Sequence, residues 1–246
     1  MTNPGLLTET PRNAFATSSG DGAPTAVGLP AGGRLGKYRL VRSIGRGGMG
    51  VVYEAEDTLL NRRVALKLLP ALAAADPETI RRFVREARAA ARLHHPHVVA
   101  LHEIDQRDGV YYLALELVEG GSVQEALSAR GPFAWPEATR ITADACRGLA
   151  AAHAAGLIHR DLKPANLMRA RDGRVKLTDF GLARASQATT GGASAPGRAA
   201  GTPHFMSPEQ CRGEPLDERT DLYALGATYF ALLTGRPPYS GDGWMR

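Results

Sequence analysis

Apolar and polar positions change period along the chain, and the changes divide it. Tyr38-Arg39-Leu40-Val41-Arg42-Ser43-Ile44 alternates as a half-buried strand does. It runs into Gly45-Arg46-Gly47-Gly48-Met49-Gly50, after which Val51-Val52-Tyr53-Glu54-Ala55-Glu56 carries the β-branched and aromatic residues of a second strand. The pair reads as a hairpin with a glycine tip. Residues 63–69 make a third strand, with one lysine, Lys67, among apolar neighbours. The period then lengthens. Behind the start signal Asp76-Pro77, the positions Ile80, Phe83, Val84, Ala87 and Ala91 fall at helical spacing and predict a helix to about Leu93. Apolar runs at 98–103 and 110–117 flank a turn-forming cluster at 105–109. The expectation is a five-stranded antiparallel unit with one helix.

Gly120-Gly121 marks a change of architecture, and Ser122 with Glu125 offers a capping box for a short helix. From 136 to about 155, Ala138, Ile141, Ala145, Leu149 and Ala152 repeat as a buried stripe that stops at Gly156. Leu167-Met168 and residues 175–178 read as short strands around the Asp172-Gly173 turn. Residues 219–234 are apolar on nearly all faces and predict a buried central helix. Residues 1–36 and 185–200, rich in Gly, Ala, Ser and Thr, hold no sustained period and predict a disordered arm and a mobile loop.

Composition narrows the class without naming it. The 246 residues are 43% hydrophobic and 22% charged, ordinary for a water-soluble chain. No apolar run reaches the roughly 18 residues of a membrane span, and the first residues lack a signal-peptide layout, so a cytoplasmic location is expected. The net charge of +5 is spread along the chain without aromatic interleaving, which argues against a nucleic-acid partner. The two cysteines, Cys146 and Cys211, have no metal or redox spacing and are expected as buried thiols. His94-His95-Pro96-His97 lacks a completing cysteine or acid and reads as a structural turn.

One short span concentrates the chemistry. His159-Arg160-Asp161-Leu162-Lys163-Pro164-Ala165-Asn166, followed closely by Asp179-Phe180-Gly181, sets acids, an amide, a lysine and an arginine on a proline-containing loop. Oxygen donors beside a cation suit phosphoryl transfer, which needs a group to receive a hydroxyl proton and hard ligands for Mg²⁺. The G-x-G-x-x-G at 45–50 also occurs in dinucleotide sites, but there its last glycine opens a helix, and here a strand follows.

In this order, with Val64-Ala65-Leu66-Lys67 and Ser207-Pro208-Glu209, these motifs resemble the eukaryotic-like Ser/Thr protein kinases of bacteria. The resemblance runs from about Tyr38 to the end of the chain. It implies an α+β, two-lobed kinase fold: a small antiparallel β lobe with one helix at 37–118, and a larger, mainly helical lobe at 119–246. It further implies that Asp161 is the base, Lys163 stabilises charge in flight, and Asn166 and Asp179 hold Mg²⁺. Lys67, paired with Glu86, would hold the phosphates of ATP. Gly45, Gly47 and Gly50 would cover those phosphates, while Ile44, Val52, Ala65 and Met168 sandwich the adenine. Leu115 would be the gatekeeper, with Glu116, Leu117 and Val118 as the hinge. Asp221 would anchor the catalytic-loop backbone. Arg160 would bind a phosphate on the 185–200 loop, where Thr189 and Thr190, then Ser186 and Ser194, are the candidate acceptors. Lys163 and Thr202 favour Ser or Thr over Tyr substrates. Ser207 stands where the family usually has alanine. Partners implied are protein substrates and a second copy for autophosphorylation.

The family's last helices are not found before Arg246. The expectation from this is a truncated chain, poorly stable or inactive, with room for a membrane anchor in a longer parent. The alternative reading is therefore an ATP-binding scaffold without catalysis. A small-molecule phosphotransferase is opposed by the peptide-docking segment from Gly201-Thr202-Pro203 to Glu209.

Overall fold

Successive side chains on a strand face opposite ways, so a sheet covered on both sides needs two separate apolar sets. The computed structural model, which describes residues 32–47, 50–69, 77–107, 109–180 and 203–239, shows both. Strands β1 (Arg34–Leu35), β2 (Tyr38–Gly47), β3 (Gly50–Asp57), β4 (Arg62–Leu69), β5 (Leu101–Arg107) and β6 (Val110–Glu116) form an antiparallel sheet. Their order is β1-β2-β3-β4-β6-β5. Val64, Leu66 and Leu68 of β4 join Leu40, Val51, Tyr53 and Tyr112 on one face. Leu69 turns the other way and packs with Leu101, Leu113, and Phe83 and Ala87 of helix α1 (Pro77–Ala91). Lys67 shares the parity of Leu69 and so points to the helix side of the sheet.

Two boundaries differ from expectation. The sheet has a sixth strand, β1, inside the segment expected to be disordered. Leu35 is buried, and Gly32 and Leu40 are joined backbone to backbone at 2.9 Å. A two-residue strand is too short to carry a period. The second difference is that β5 starts at Leu101, because the Val99 N–H donates to the Leu177 carbonyl at 2.8 Å and ties 98–99 to the other lobe.

The second lobe is helical. Helix α2 (Val123–Arg130) has the expected capping box of Ser122 and Glu125. Helix α3 (Trp135–Ala154) lays Ile141, Ala145, Leu149 and Ala152 against the hairpin of β7 (Leu167–Arg169) and β8 (Val175–Leu177), and against α5 (Arg219–Thr234). Between them lies the short α4 (Pro208–Arg212). Gly148 permits a close approach of α3 to the chain around His97 and Leu177. A Cβ there would sit 2.5 Å from the His97 carbonyl oxygen and 2.8 Å from Leu177 Cδ1. His97 is structural: it is buried, and its Nδ1 lies 2.9 Å from the Val175 carbonyl.

Helix α5 was expected to be buried all round. Ala224, Leu225, Thr228, Ala231 and Leu232 are buried, but Leu222, Phe230 and Leu233 are exposed, since they share the face turned away from α3. Both cysteines are exposed rather than buried. Cys146 follows the buried Ala145, and one residue rotates a helical side chain by about 100° off the stripe. Cys211 lies on α4, none of whose residues is buried.

Candidate active site

Residues 159–163 form no regular structure, so their backbone groups need partners from elsewhere. Buried Asp221, in the first turn of α5, supplies them: its carboxylate accepts the N–H of His159 at 2.7 Å and of Arg160 at 2.8 Å, and lies 2.8 Å from His153 Nε2. Gln210 Nε2 donates to the Arg160 carbonyl at 2.8 Å. These bonds hold Arg160 at φ 65, a left-handed conformation unfavourable for a side chain with a Cβ.

His159 links this loop to the segment before Asp179. Its Nε2 is 2.9 Å from the Thr178 carbonyl, which only accepts, so Nε2 carries the hydrogen and Nδ1 accepts the Asp161 N–H at 3.4 Å. Burial pushes the imidazole below its usual 6.5, favouring this neutral form. Its ring packs 4.8 Å from that of Phe180.

The loop gathers three of the residues singled out in the sequence. Lys163 Nζ donates to both Asp161 carboxylate oxygens, at 3.0 and 2.9 Å. Asn166, at the end of a 3₁₀ turn (Pro164–Asn166), donates Nδ2 to the Asp161 carbonyl at 2.7 Å and to its carboxylate at 3.1 Å. Asp179, also left-handed at φ 63, takes Lys67 Nζ at 2.6 Å.

That last contact corrects an expectation. Lys67 is not paired with Glu86; its ammonium is held by Asp179 from the other lobe. Glu86 instead lies 3.5 Å from the Arg160 guanidinium. The reason is competition. A largely buried ammonium takes the nearest carboxylate, and a partly buried glutamate left without it turns to the next cation.

The upper wall follows from register. Gly45 faces Val52, Gly47 faces Gly50, Val52 faces Lys67, and Ala65 faces Leu115. Ile44 is 36% exposed, whereas Val52, Glu116, Val118 and Met168 are partly buried. Met168 bridges to Ser122, just beyond the crossing between the lobes. The Glu116 N–H is engaged by the Ala100 carbonyl at 2.9 Å. Gly48, Met49, Gly181, Ser186, Thr189, Thr190, Ser194 and Thr202 lie outside the described residues.

One residue here was missed. Lys176, between buried Val175 and Leu177, reaches Glu116 at 2.5 Å and joins the strand before Asp179 to the crossing. The signal was the one used for Lys67, a lone lysine in an apolar strand.

Asp161, Asn166 and Asp179 offer oxygen donors of the kind that suit a hard divalent cation such as Mg²⁺. Among the described residues, no three of His, Cys, Asp or Glu converge as a softer metal would require. A carboxylate beside a lysine, facing a second lysine and a glycine-tipped hairpin, can take up a proton next to a polyanion. The profile described as the protein kinase domain matches residues 38–245. The chain belongs to the protein kinase family.

Two similar relatives come from bacteria. The serine/threonine-protein kinase PrkC of Bacillus subtilis (strain 168) is 42% identical to this kinase over 207 residues, 84% of this chain and 32% of its own length. The serine/threonine-protein kinase PknE of Mycobacterium tuberculosis (strain H37Rv) is 44% identical over 211 residues, 86% of this chain and 37% of its own length. This kinase thus spans about a third of the length of such relatives. The crystal structure of the Mycobacterium tuberculosis PknI kinase domain superposes with a TM-score of 0.70 at 33% identity, covering 87% of this chain and 80% of that one. The two-lobed architecture expected from the motifs is therefore the observed one. Among the described residues, no helix is long and apolar enough to cross a membrane.

Proposed function

We infer that this kinase transfers the γ-phosphoryl group of ATP to Ser or Thr hydroxyls of proteins, with Mg²⁺ as the metal. The observation that carries this reading is the hydrogen-bonded cluster of Asp161, Lys163 and Asn166 on a loop anchored by buried Asp221. Asp161 orients the acceptor hydroxyl and receives its proton, and Lys163 offsets negative charge beside it. Bound Mg²⁺ neutralises charge on the phosphates. Asn166 gives its Nδ2 to Asp161, which leaves the amide oxygen for the cation beside the Asp179 carboxylate. Lys67 would hold the phosphates once Asp179 turns to the metal, with Glu86 as its new partner. The backbone at Gly45, Gly47 and Gly50 lies over the phosphates, and Ile44, Val52, Ala65 and Met168 enclose the base. With its N–H engaged, Glu116 has only its carbonyl to offer, and Val118 completes the edge. Arg160 would take a phosphate on Thr189 or Thr190 in place of Glu86.

A second reading, nucleotide binding without transfer, has one observation in its favour: Lys67 is held by Asp179 rather than Glu86. Radiolabelled phosphate transfer from ATP–Mg²⁺ to the protein and to a generic basic protein, beside Asp161→Asn, decides between them. Label on Ser or Thr that disappears in the variant is expected. Persistence of label in the variant removes Asp161 from its role. A nucleotide-dependent rise in melting temperature without any label supports the second reading.

A further inference from the structure

Arg81, Arg85, Arg88 and Arg92 recur every three or four residues along α1 and its C-terminal extension, so they stand on one face. That face is opposite the buried Phe83 and Ala87. With Ile80 and Val84 along one side and Ala89 along the other, the arginines border an open surface groove of about 540 Å³ between their own side chains. Arg81 is paired with Glu78 at 2.9 Å, and no carboxylate of the described residues pairs with the side chains of Arg85, Arg88 or Arg92. Like charges at these spacings repel and disfavour the helix. The helix dipole compensates Arg88 and Arg92 near the C-terminal end, but it does nothing for Arg81 and Arg85. Neither lobe described above makes use of this row.

The geometry points to a docking site for an acidic segment of a partner protein, laid along the arginine row of α1. Charge complementarity identifies the occupant: arginine forks grip carboxylates and phosphates in pairs. The eleven residue steps from Arg81 to Arg92 span roughly 16 Å, the length of an extended run of about five residues. Three other occupants fit less well. No aromatic side chain on the face offers a stacking platform for single-stranded nucleic acid. A membrane surface would need exposed apolar residues, and Ile80 and Val84 are partly buried. A second copy of this chain is net positive and has no three consecutive acidic residues. Because α1 also carries Glu86, a segment gripping its outer face would bias the exchange of Glu86 between Arg160 and Lys67; this consequence rests on the kinase reading above.

The test uses the full chain and a fluorescein-labelled peptide of six glutamates, read by anisotropy at fixed salt. The triple variant Arg81→Glu, Arg85→Glu, Arg88→Glu should lose affinity by about tenfold or more. A control with the same charge change in the other lobe, Arg171→Glu, Arg212→Glu, Arg219→Glu, should lose less than about threefold. Equal losses in both would overturn the site in favour of bulk charge. So would tighter binding of the native chain to phosphatidylserine vesicles or to single-stranded RNA than to the peptide. Saturating peptide should change ATP affinity by about twofold or more. Peptide binding without that change would confine the site to docking and sink its coupling to Glu86. If the native chain binds no ATP at all, the kinase reading falls while the peptide comparison still judges the groove.

Discussion

The loop at 159–166 and helix α1 both present charged side chains to the same cleft, yet they are held in opposite ways. The loop has no regular structure, but Asp221 and Gln210 fix its backbone through bonds of 2.7–2.8 Å, and the buried His159 ring ties it to the Thr178 carbonyl at 2.9 Å. Helix α1 is regular and seats Phe83 and Ala87, yet its Glu86 reaches Arg160 through a single partly exposed contact at 3.5 Å. Regular secondary structure is therefore no guide to rigidity here. The number of satisfied buried polar bonds is the better one.

The largest break in this contrast should come from Asp221→Ala. It strips the His159 and Arg160 N–H groups of their acceptor inside the lobe and should destabilise the fold by about 3–5 kcal/mol, measured by urea unfolding. An unchanged midpoint would mean that the loop does not depend on this carboxylate. Next is Gly148→Ala, which places a methyl against the His97 carbonyl and Leu177 and should cost about 1–3 kcal/mol through overpacking, again read in the denaturant midpoint.

Acid should reveal the third difference. Burial depresses the His159 pKa in the folded state below 6.5, so under acid the unfolded chain binds the proton first. The stability of the neutral form is complete above 6.5 and is lost as pH falls below it, with a slope of up to about 1.4 kcal/mol per pH unit. His95 and His102, also pushed down by burial, act in the same direction. Melting temperatures between pH 7.5 and 5.5 should therefore fall in the native chain and fall less in His159→Gln. Parallel slopes would exclude His159 as a contributor.

The smallest effect should come from Arg160→Gln. It releases Glu86 from a pair worth roughly 0.2–1 kcal/mol, so ATP affinity should rise by no more than about fivefold, by calorimetry, as Glu86 becomes free to meet Lys67. A fall in affinity would show that Arg160 supports the nucleotide-binding arrangement instead of restraining it.

How far these features could be read from the chain depends on distance along it. Asp161, Lys163 and Asn166 lie within a few residues of one another, so their convergence is local and legible. Asp221 was placed correctly from its family position. Lys67 and Glu86 come from separate elements, and which carboxylate wins Lys67 is decided by the placement of Asp179 across the cleft. No periodicity records such a competition. Cys146 failed for a different reason: the stripe through Ala145 and Leu149 already left it off the buried face of α3, and a lack of metal or redox spacing is no sign of burial. The outward face of α5 escaped because an apolar sequence states what a helix prefers and not how much cover its neighbours provide. Lys176 was legible by the reasoning applied to Lys67 and was passed over.

The contacts at the crossing set where the lobes can bend. Glu116 is fastened to Ala100 and to Lys176, which is only 13% exposed and so little affected by salt. Gly120, two residues beyond Val118, donates its N–H to the Arg169 carbonyl at 2.9 Å, Gly121 accepts the Arg169 N–H at 2.8 Å, and a side chain at Gly120 would meet the Arg169 carbonyl at 2.2 Å. On this crossing torsional freedom is thereby confined to residues 117–119, beside the chain's other passage between the lobes, where Val99 is bonded to Leu177. A span that short behaves as an axle: opening the cleft becomes rotation about one line, and a ligand wedged beside it would stall the whole upper lobe.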